Sequence, residues 1–302
     1  MMRILKNSVR NGWQFWLLAG LTWLLTATAA LAQQVEYRVE DSVLVVRLLS
    51  EASERPVDLP RTLWFGQQLE GRPYVAHTLE EGWNEHLIVN LRGLDCTTFV
   101  ETVSALSLCD ARNERSFADF CHWLRQLRYR DGRIGDYTSR LHYFVQWADD
   151  NERMGLVTDV LSEMEDAGLA TQVVDISYMS QHPDLYKHLK ANPQLVPVIR
   201  QQERAEQGKR LRYVPKSRLA ESSQRLDYIH SGDILALVTR KAGLDTTHLG
   251  LAVWMNGRLH LMHASSLKKR VLTDPTTLFN YSQGQRSQLG IRVVRLKTDV
   301  NL

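Results

Sequence analysis

The chain has 302 residues, 37 of them basic and 34 acidic, for a formal net charge of +3. The excess positive charge (Arg3, Lys6 and Arg10) falls entirely within the first 32 residues. The remainder is therefore balanced and lacks the basic footprint of a nucleic-acid-binding protein.

The leader has the pattern of a signal peptide. Its basic start precedes an apolar run from Phe15 to Ala32 that ends in Ala30-Leu31-Ala32, a small-x-small cleavage pattern. Cleavage after Ala32 would leave residues 33–302, enough chain to bury the core of one domain. No later apolar run approaches the ~18 residues needed to span a bilayer. The expectation is an exported protein, not integral to the membrane once cleaved. In a Gram-negative source it would be periplasmic, with secretion as the alternative.

In chain order, VLVVRLLS (43–50) reads as a strand or the start of a helix. A helical segment holding Trp64 and Phe65 follows, then a turn at Gly71, Pro73 and Tyr74 and a strand-like HLIVNL. Next comes GLDCTTFVETVSAL, residues 93–106. Phe99, Val103 and Leu106 repeat at helical spacing, and Asp95 is a good N-cap residue. Cys96 thus stands where a turn enters an amphipathic helix. The helix dipole there favours a thiolate, and the first turn leaves backbone N–H groups free to meet an oxyanion. Both suit a cysteine nucleophile.

There are three cysteines, Cys96, Cys109 and Cys121, so at least one thiol stays free in an oxidising compartment. Along a continuous helix Cys96 and Cys109 would lie ~20 Å apart. A disulfide needs Cα atoms within about 7 Å, which excludes that pair. Cys109 and Cys121 either pair across a helix–helix turn or remain thiols.

Residues 116–130 have helical spacing with Ser116 as cap, and Tyr143, Phe144 and Trp147 form an aromatic stripe suited to a core. The polar stretch that follows is punctuated by Pro183, Pro193, Pro197 and Pro215. Together, residues from about 112 to 228 read as a largely helical or irregular insertion. The C-terminal third is different: GDILALVT, HLGLAVW, LHLMHAS, RVL and GIRVVRL are short β-rich runs separated by turns. Helices first and an antiparallel sheet after make the fold class α+β.

The hairpin in that sheet places two histidines. Asn256-Gly257 between apolar runs predicts a two-residue type I′ turn. The turn sets Met255 opposite Arg258, Trp254 opposite Leu259 and Gly250 opposite His263. His248, two residues before Gly250, then shares a face with His263 as its diagonal neighbour, whereas His260 projects from the other face. A cysteine nucleophile needs a base, and the base needs an orienting partner; His248 and His263 fit these roles. Gly250 would let the Cys96 helix press close. A zinc centre on Cys96, His248 and His263 is the competing chemistry, but no C-x-x-C, H-x-x-x-H or H-E-x-x-H spacing supports it.

The ordered motifs resemble a known family. LDCTTFVE, then YRDGRIGDYTSRLHYFVQW, Tyr213-Val214-Pro215-Lys216, SGDILALVTRKAGLDTTHLGLAVW and LMHASS are similar to the NlpC/P60 papain-like superfamily. The likeness is strongest to its DUF1460 branch, associated with N-acetylmuramoyl-L-alanine amidase activity, and runs from about Trp64 to Arg295. The resemblance implies a papain-like core, with an antiparallel sheet packed on the nucleophile helix and Cys96, His248 and His263 as the catalytic set. It implies peptidoglycan or muropeptide fragments as substrate and no cofactor or metal. The expected reaction is cleavage of the N-acetylmuramoyl-L-alanine amide. A stem-peptide endopeptidase or dipeptidyl-peptidase with the same residues, or a non-catalytic cell-wall binding module, are the alternatives. Arg140, His142 and Tyr143 are candidates for the substrate groove, where a guanidinium would pair with stem-peptide carboxylates.

Overall fold

The apolar positions of the first element recur at helical spacing, and that decides its form. Leu44, Val45, Leu48, Leu49 and Ala52 are buried along one side of α1 (Val39–Ser53), so VLVVRLLS is helical. The structure is a computed structural model and describes residues 35–54, 59–166 and 168–298; the expected signal peptide lies outside them. Residues from Tyr37 onward form one compact unit. Among the described residues no helix is long and apolar enough to cross a membrane.

Three helices follow α1: α2 (Arg61–Gln68), α3 (Cys96–Ala111) and α4 (Phe117–Arg128). Ser116 caps α4 by accepting the Asp119 N–H at 3.1 Å. In α3, Phe99, Val103 and Leu106 are fully buried, each side chain adding roughly 1.5–3 kcal/mol of transfer energy. Gly66 of α2 lies so close to Met262, Phe99 and Leu251 that a Cβ there would strike the Met262 sulfur. The α2–α3 layer therefore rests on the Leu251 and Met262 side of the sheet.

After α5 (Phe144–Arg153) the strands are β1 (Val157–Asp159), β2 (Ala170–Val173), β3 (Arg210–Pro215), β4 (Ile234–Thr239), β5 (Thr246–Met255), β6 (Arg258–Ser265), β7 (Arg270–Thr273) and β8 (Gln288–Leu296). They form an eight-stranded sheet in the order β2-β3-β8-β4-β5-β6-β7, with β1 also pairing β8. All these pairings are antiparallel. The mixed helix and sheet content with an antiparallel sheet agrees with the expected class. Residues 112–228, expected as a largely helical or irregular insertion, supply β1, β2 and β3 of this sheet. Short strands among polar residues carry little periodicity, so these three depend on their β8 and cross-strand partners for their form.

One sheet face carries the main core, in which Leu235, Leu237, Ala252, Leu261, Ile291 and Val293 pack with Leu219, Leu226 and Leu278 of α7 (Leu278–Gln283). A second core joins Tyr137, Tyr143, Val145, Val174, Ile176, Met179, Leu189 and Ile199, the last from α6 (Val196–Glu206). This second core builds the wall that faces the start of β5.

Candidate active site

The head of α3 is fixed by a capping box. Asp95 accepts the Thr98 N–H at 2.8 Å, and the Thr98 hydroxyl oxygen accepts the Asp95 N–H at 2.9 Å. Cys96 is the first helical residue, half-buried, with the backbone N–H groups of Leu249 and Thr97 directed at its sulfur. Burial, followed by the adjacent Asp95 carboxylate, pushes its thiol up to about 11, against the pull of those donors. The thiolate expected from the helix dipole is therefore not the resting form: desolvation and a neighbouring negative charge outweigh a terminal dipole.

The predicted hairpin is present in its predicted register. Met255 faces Arg258, Trp254 faces Leu259 and Ala252 faces Leu261. Asn256 and Gly257 have φ of 49° and 70°, the left-handed pair that a type I′ turn demands. His248 and His263 meet, with Nε2 of the first 2.5 Å from Nδ1 of the second and their rings nearly perpendicular at 87°. A register shift between β4 and β5 falls between Thr246 and Leu249, the stretch that holds Thr247 and His248. Gly250 serves another purpose than expected. A Cβ there would come within 2.7 Å of the Leu261 side chain and the Met262 carbonyl, so the close neighbour is β6 and not the Cys96 helix. His260 points elsewhere, as the alternation requires, and its Nδ1 sits 3.0 Å from the Asp274 carbonyl oxygen.

Burial holds both imidazoles neutral, His248 down to about 3 and His263 to about 4, the latter despite the pull of Asp274. Sequence reasoning missed Asp274 and Tyr281. The Asp274 carboxylate lies 3.7 Å from His263 Nε2, a charge contact longer than a hydrogen bond. Tyr281 of α7 sets its ring edge to face with His263 at 5.6 Å, and burial, then Asp274 and Cys96, push its hydroxyl up to about 12. Nothing in the sequence separates Asp274 from an ordinary turn aspartate before a proline.

Cys96 and His248 line one cleft of about 210 Å³ with His142, Tyr143, Phe144, Trp147 and Asp245. His142 is held neutral by burial, its titration pushed down to about 3, and donates Nε2–H to the Tyr137 carbonyl at 2.9 Å. Tyr143 presents its ring, because its hydroxyl donates to Glu203 at 2.7 Å and accepts the Met179 N–H at 2.9 Å. Arg140 is engaged within the protein itself. Its guanidinium is buried, with 2.7 Å contacts to Glu80 and Glu85 and a further bond to the Leu79 carbonyl. Its charge is met by two carboxylates of the chain itself.

Cys109 and Cys121 are free thiols, both raised chiefly by burial. Among the described residues no group of three or more His, Cys, Asp or Glu side chains is arranged to hold a metal ion. The imidazoles of His248 and His263 turn nitrogens toward each other, so these two nitrogens do not converge on a common centre.

A family model described as AmiA-like, N-acetylmuramoyl-L-alanine amidase-like, matches residues 64–291. The chain belongs to this AmiA-like family. An N-acetylmuramoyl-L-alanine amidase from Bacteroides uniformis has a similar structure, 39% identical over 78% of this chain and 97% of its own, with a TM-score of 0.73. A Bacteroides fragilis protein described as a putative xylanase is 41% identical over 78% of this chain and all of its own, again with a TM-score of 0.73. A DUF1460 protein from Legionella pneumophila shares the fold at 19% identity, with a TM-score of 0.65 over 85% of this chain and 94% of its own. No curated protein sequence matches significantly. Within the AmiA-like match fall Cys96, His248, His263, Asp274 and the cleft wall.

Proposed function

We propose that this AmiA-like protein is a cysteine hydrolase of peptidoglycan or its muropeptide fragments, cleaving the N-acetylmuramoyl-L-alanine amide. The observation that carries the reading is the 2.5 Å contact of His248 Nε2 with His263 Nδ1, in a cleft that His248 shares with Cys96 at a helix start. This is the arrangement a papain-like core of the NlpC/P60 kind requires, and it leaves Nδ1 of His248 as the nitrogen for the thiol. The names of the similar Bacteroides uniformis structures support the choice of bond. An exported, periplasmic enzyme, with residues 1–32 as its signal peptide, is part of the same proposal.

The chemistry follows from the protonation states. The resting pair is a thiol and a neutral imidazole, so proton transfer accompanies attack. His248 Nδ1 takes the Cys96 proton as the sulfur bonds to the lactyl carbonyl carbon. Thr98 and Phe99 N–H groups are spent on Asp95, at 2.8 and 3.0 Å, and that of Thr97 faces the sulfur, which leaves the Cys96 N–H for the oxyanion. Collapse of the tetrahedral intermediate breaks the C–N bond, and His248 returns its proton to the departing alanine amine. Water, deprotonated by His248, then cleaves the thioester to give the lactyl carboxylate and the free thiol.

Digestion of defined muropeptides followed by mass spectrometry tests this. The expected products are the free amino sugar and a peptide beginning with L-alanine. Products that keep L-alanine on the muramyl group would assign the site to stem-peptide bonds instead. Cys96→Ala should lower the rate on the order of 10⁴-fold or more. Unchanged turnover in that variant would leave only a cell-wall binding role.

A further inference from the structure

We infer that Asp274 is a positioning residue for this site, its carboxylate facing the buried Nε2 of His263 across 3.7 Å and fixing that imidazole as the Nε2–H tautomer. The inference rests on reading Cys96 as the nucleophile and His248 as its base. Nε2 of His263 is buried and meets no hydrogen-bond partner, although an imidazole nitrogen so enclosed demands one. The group placed to satisfy it is Asp274, itself only 4% exposed. In that poorly hydrated setting a carboxylate acts strongly over 3.7 Å.

The tautomers then follow in one direction along the series. A carboxylate only accepts, so it favours a proton on His263 Nε2. His263 Nδ1 is thereby left with a lone pair, which accepts the Nε2–H of His248 at 2.5 Å. His248 Nδ1 in turn keeps its lone pair for the Cys96 thiol. With the opposite tautomer of His263, Nδ1–H would face His248 Nε2. His248 would then carry its proton on Nδ1, the wrong side for a base.

The surrounding structure holds Asp274 for this purpose. Its N–H donates to the Leu261 carbonyl at 2.8 Å, its carbonyl oxygen lies 3.0 Å from His260 Nδ1, and its other carboxylate oxygen accepts the Thr276 N–H at 2.9 Å. Three contacts thus anchor the residue, two of them to β6, the strand that carries His263. Tyr281 packs edge to face against the same imidazole.

The test uses full-length protein with ¹⁵N-labelled histidine and the variants Asp274→Asn and Asp274→Ala. In the native protein, NMR should report His263 as the Nε2–H form. Asp274→Asn, which can turn an amide N–H toward Nε2, should shift it to Nδ1–H. The variant should also lower kcat on the order of ten- to hundredfold with little change in KM. Asp274→Ala should give a mixed tautomer; if it fails to fold, the near-isosteric Asn variant decides alone. An Nε2–H tautomer that persists in Asp274→Asn, or an unchanged kcat, overturns the inference. Hydrolysis surviving in Cys96→Ala would instead sink the nucleophile assignment, and the tautomer result stands apart from that outcome.

Discussion

The Asp245 carboxylate accepts the backbone N–H of Val145 at 2.7 Å, joining segments a hundred residues apart. Val145 lies in the first turn of α5, where that N–H has no partner within the helix. The bond ties the cleft wall at Tyr143, Phe144 and Trp147 to the loop that leads into β5 and His248. Asp245→Ala should cost about 1–3 kcal/mol, read as a lower urea midpoint. It should also raise KM more than it lowers kcat, because the wall loosens while Cys96 and the histidines stay. An unaltered midpoint would show that the contact contributes nothing.

Cys96 should react as a thiol and not as a preformed thiolate. With burial and Asp95 pushing it up to about 11, the thiolate fraction is small at pH 7 and grows with rising pH. Alkylation by iodoacetamide should therefore accelerate roughly tenfold per pH unit between pH 7 and 10. A rate that plateaus below pH 8 would reveal a resting thiolate–imidazolium pair.

Arg140 should matter for folding and not for substrate affinity. Its removal would leave Glu85, whose side chain is 1% exposed, as an uncompensated buried charge. Arg140→Ala should lose about 3–5 kcal/mol by chemical denaturation. A variant of normal stability with a raised KM would return Arg140 to the substrate groove.

Acid should weaken the fold before the carboxylates titrate. Burial is the leading cause that lowers His142 and His248 to about 3 and His263 to about 4. Unfolding restores each to about 6.5, so between these values the unfolded chain binds more protons. Stability is then fully present above about pH 6.5 and falls as pH drops toward 4, by at most about 1.4 kcal/mol per pH unit for each histidine. Urea midpoints at pH 7 and pH 5 measure the loss; equal midpoints would mean that the imidazoles are hydrated in the fold.

The sequence by itself determined what short-range rules control. Apolar spacing and Asp95 set the helix that begins at Cys96, because capping and the 3.6-residue period act within a few residues. Asn256-Gly257 set the hairpin, and with it the shared face of His248 and His263, because a type I′ turn fixes register. Tertiary structure alone decided the rest. Asp274 reaches His263 only through the turn after β7, and Arg140 is spent on Glu80 and Glu85 from a distant loop. The protonation of Cys96 likewise reverses the local expectation, since desolvation depends on what the whole chain packs around the sulfur. Charge pairing and burial are long-range properties, and no local pattern encodes them.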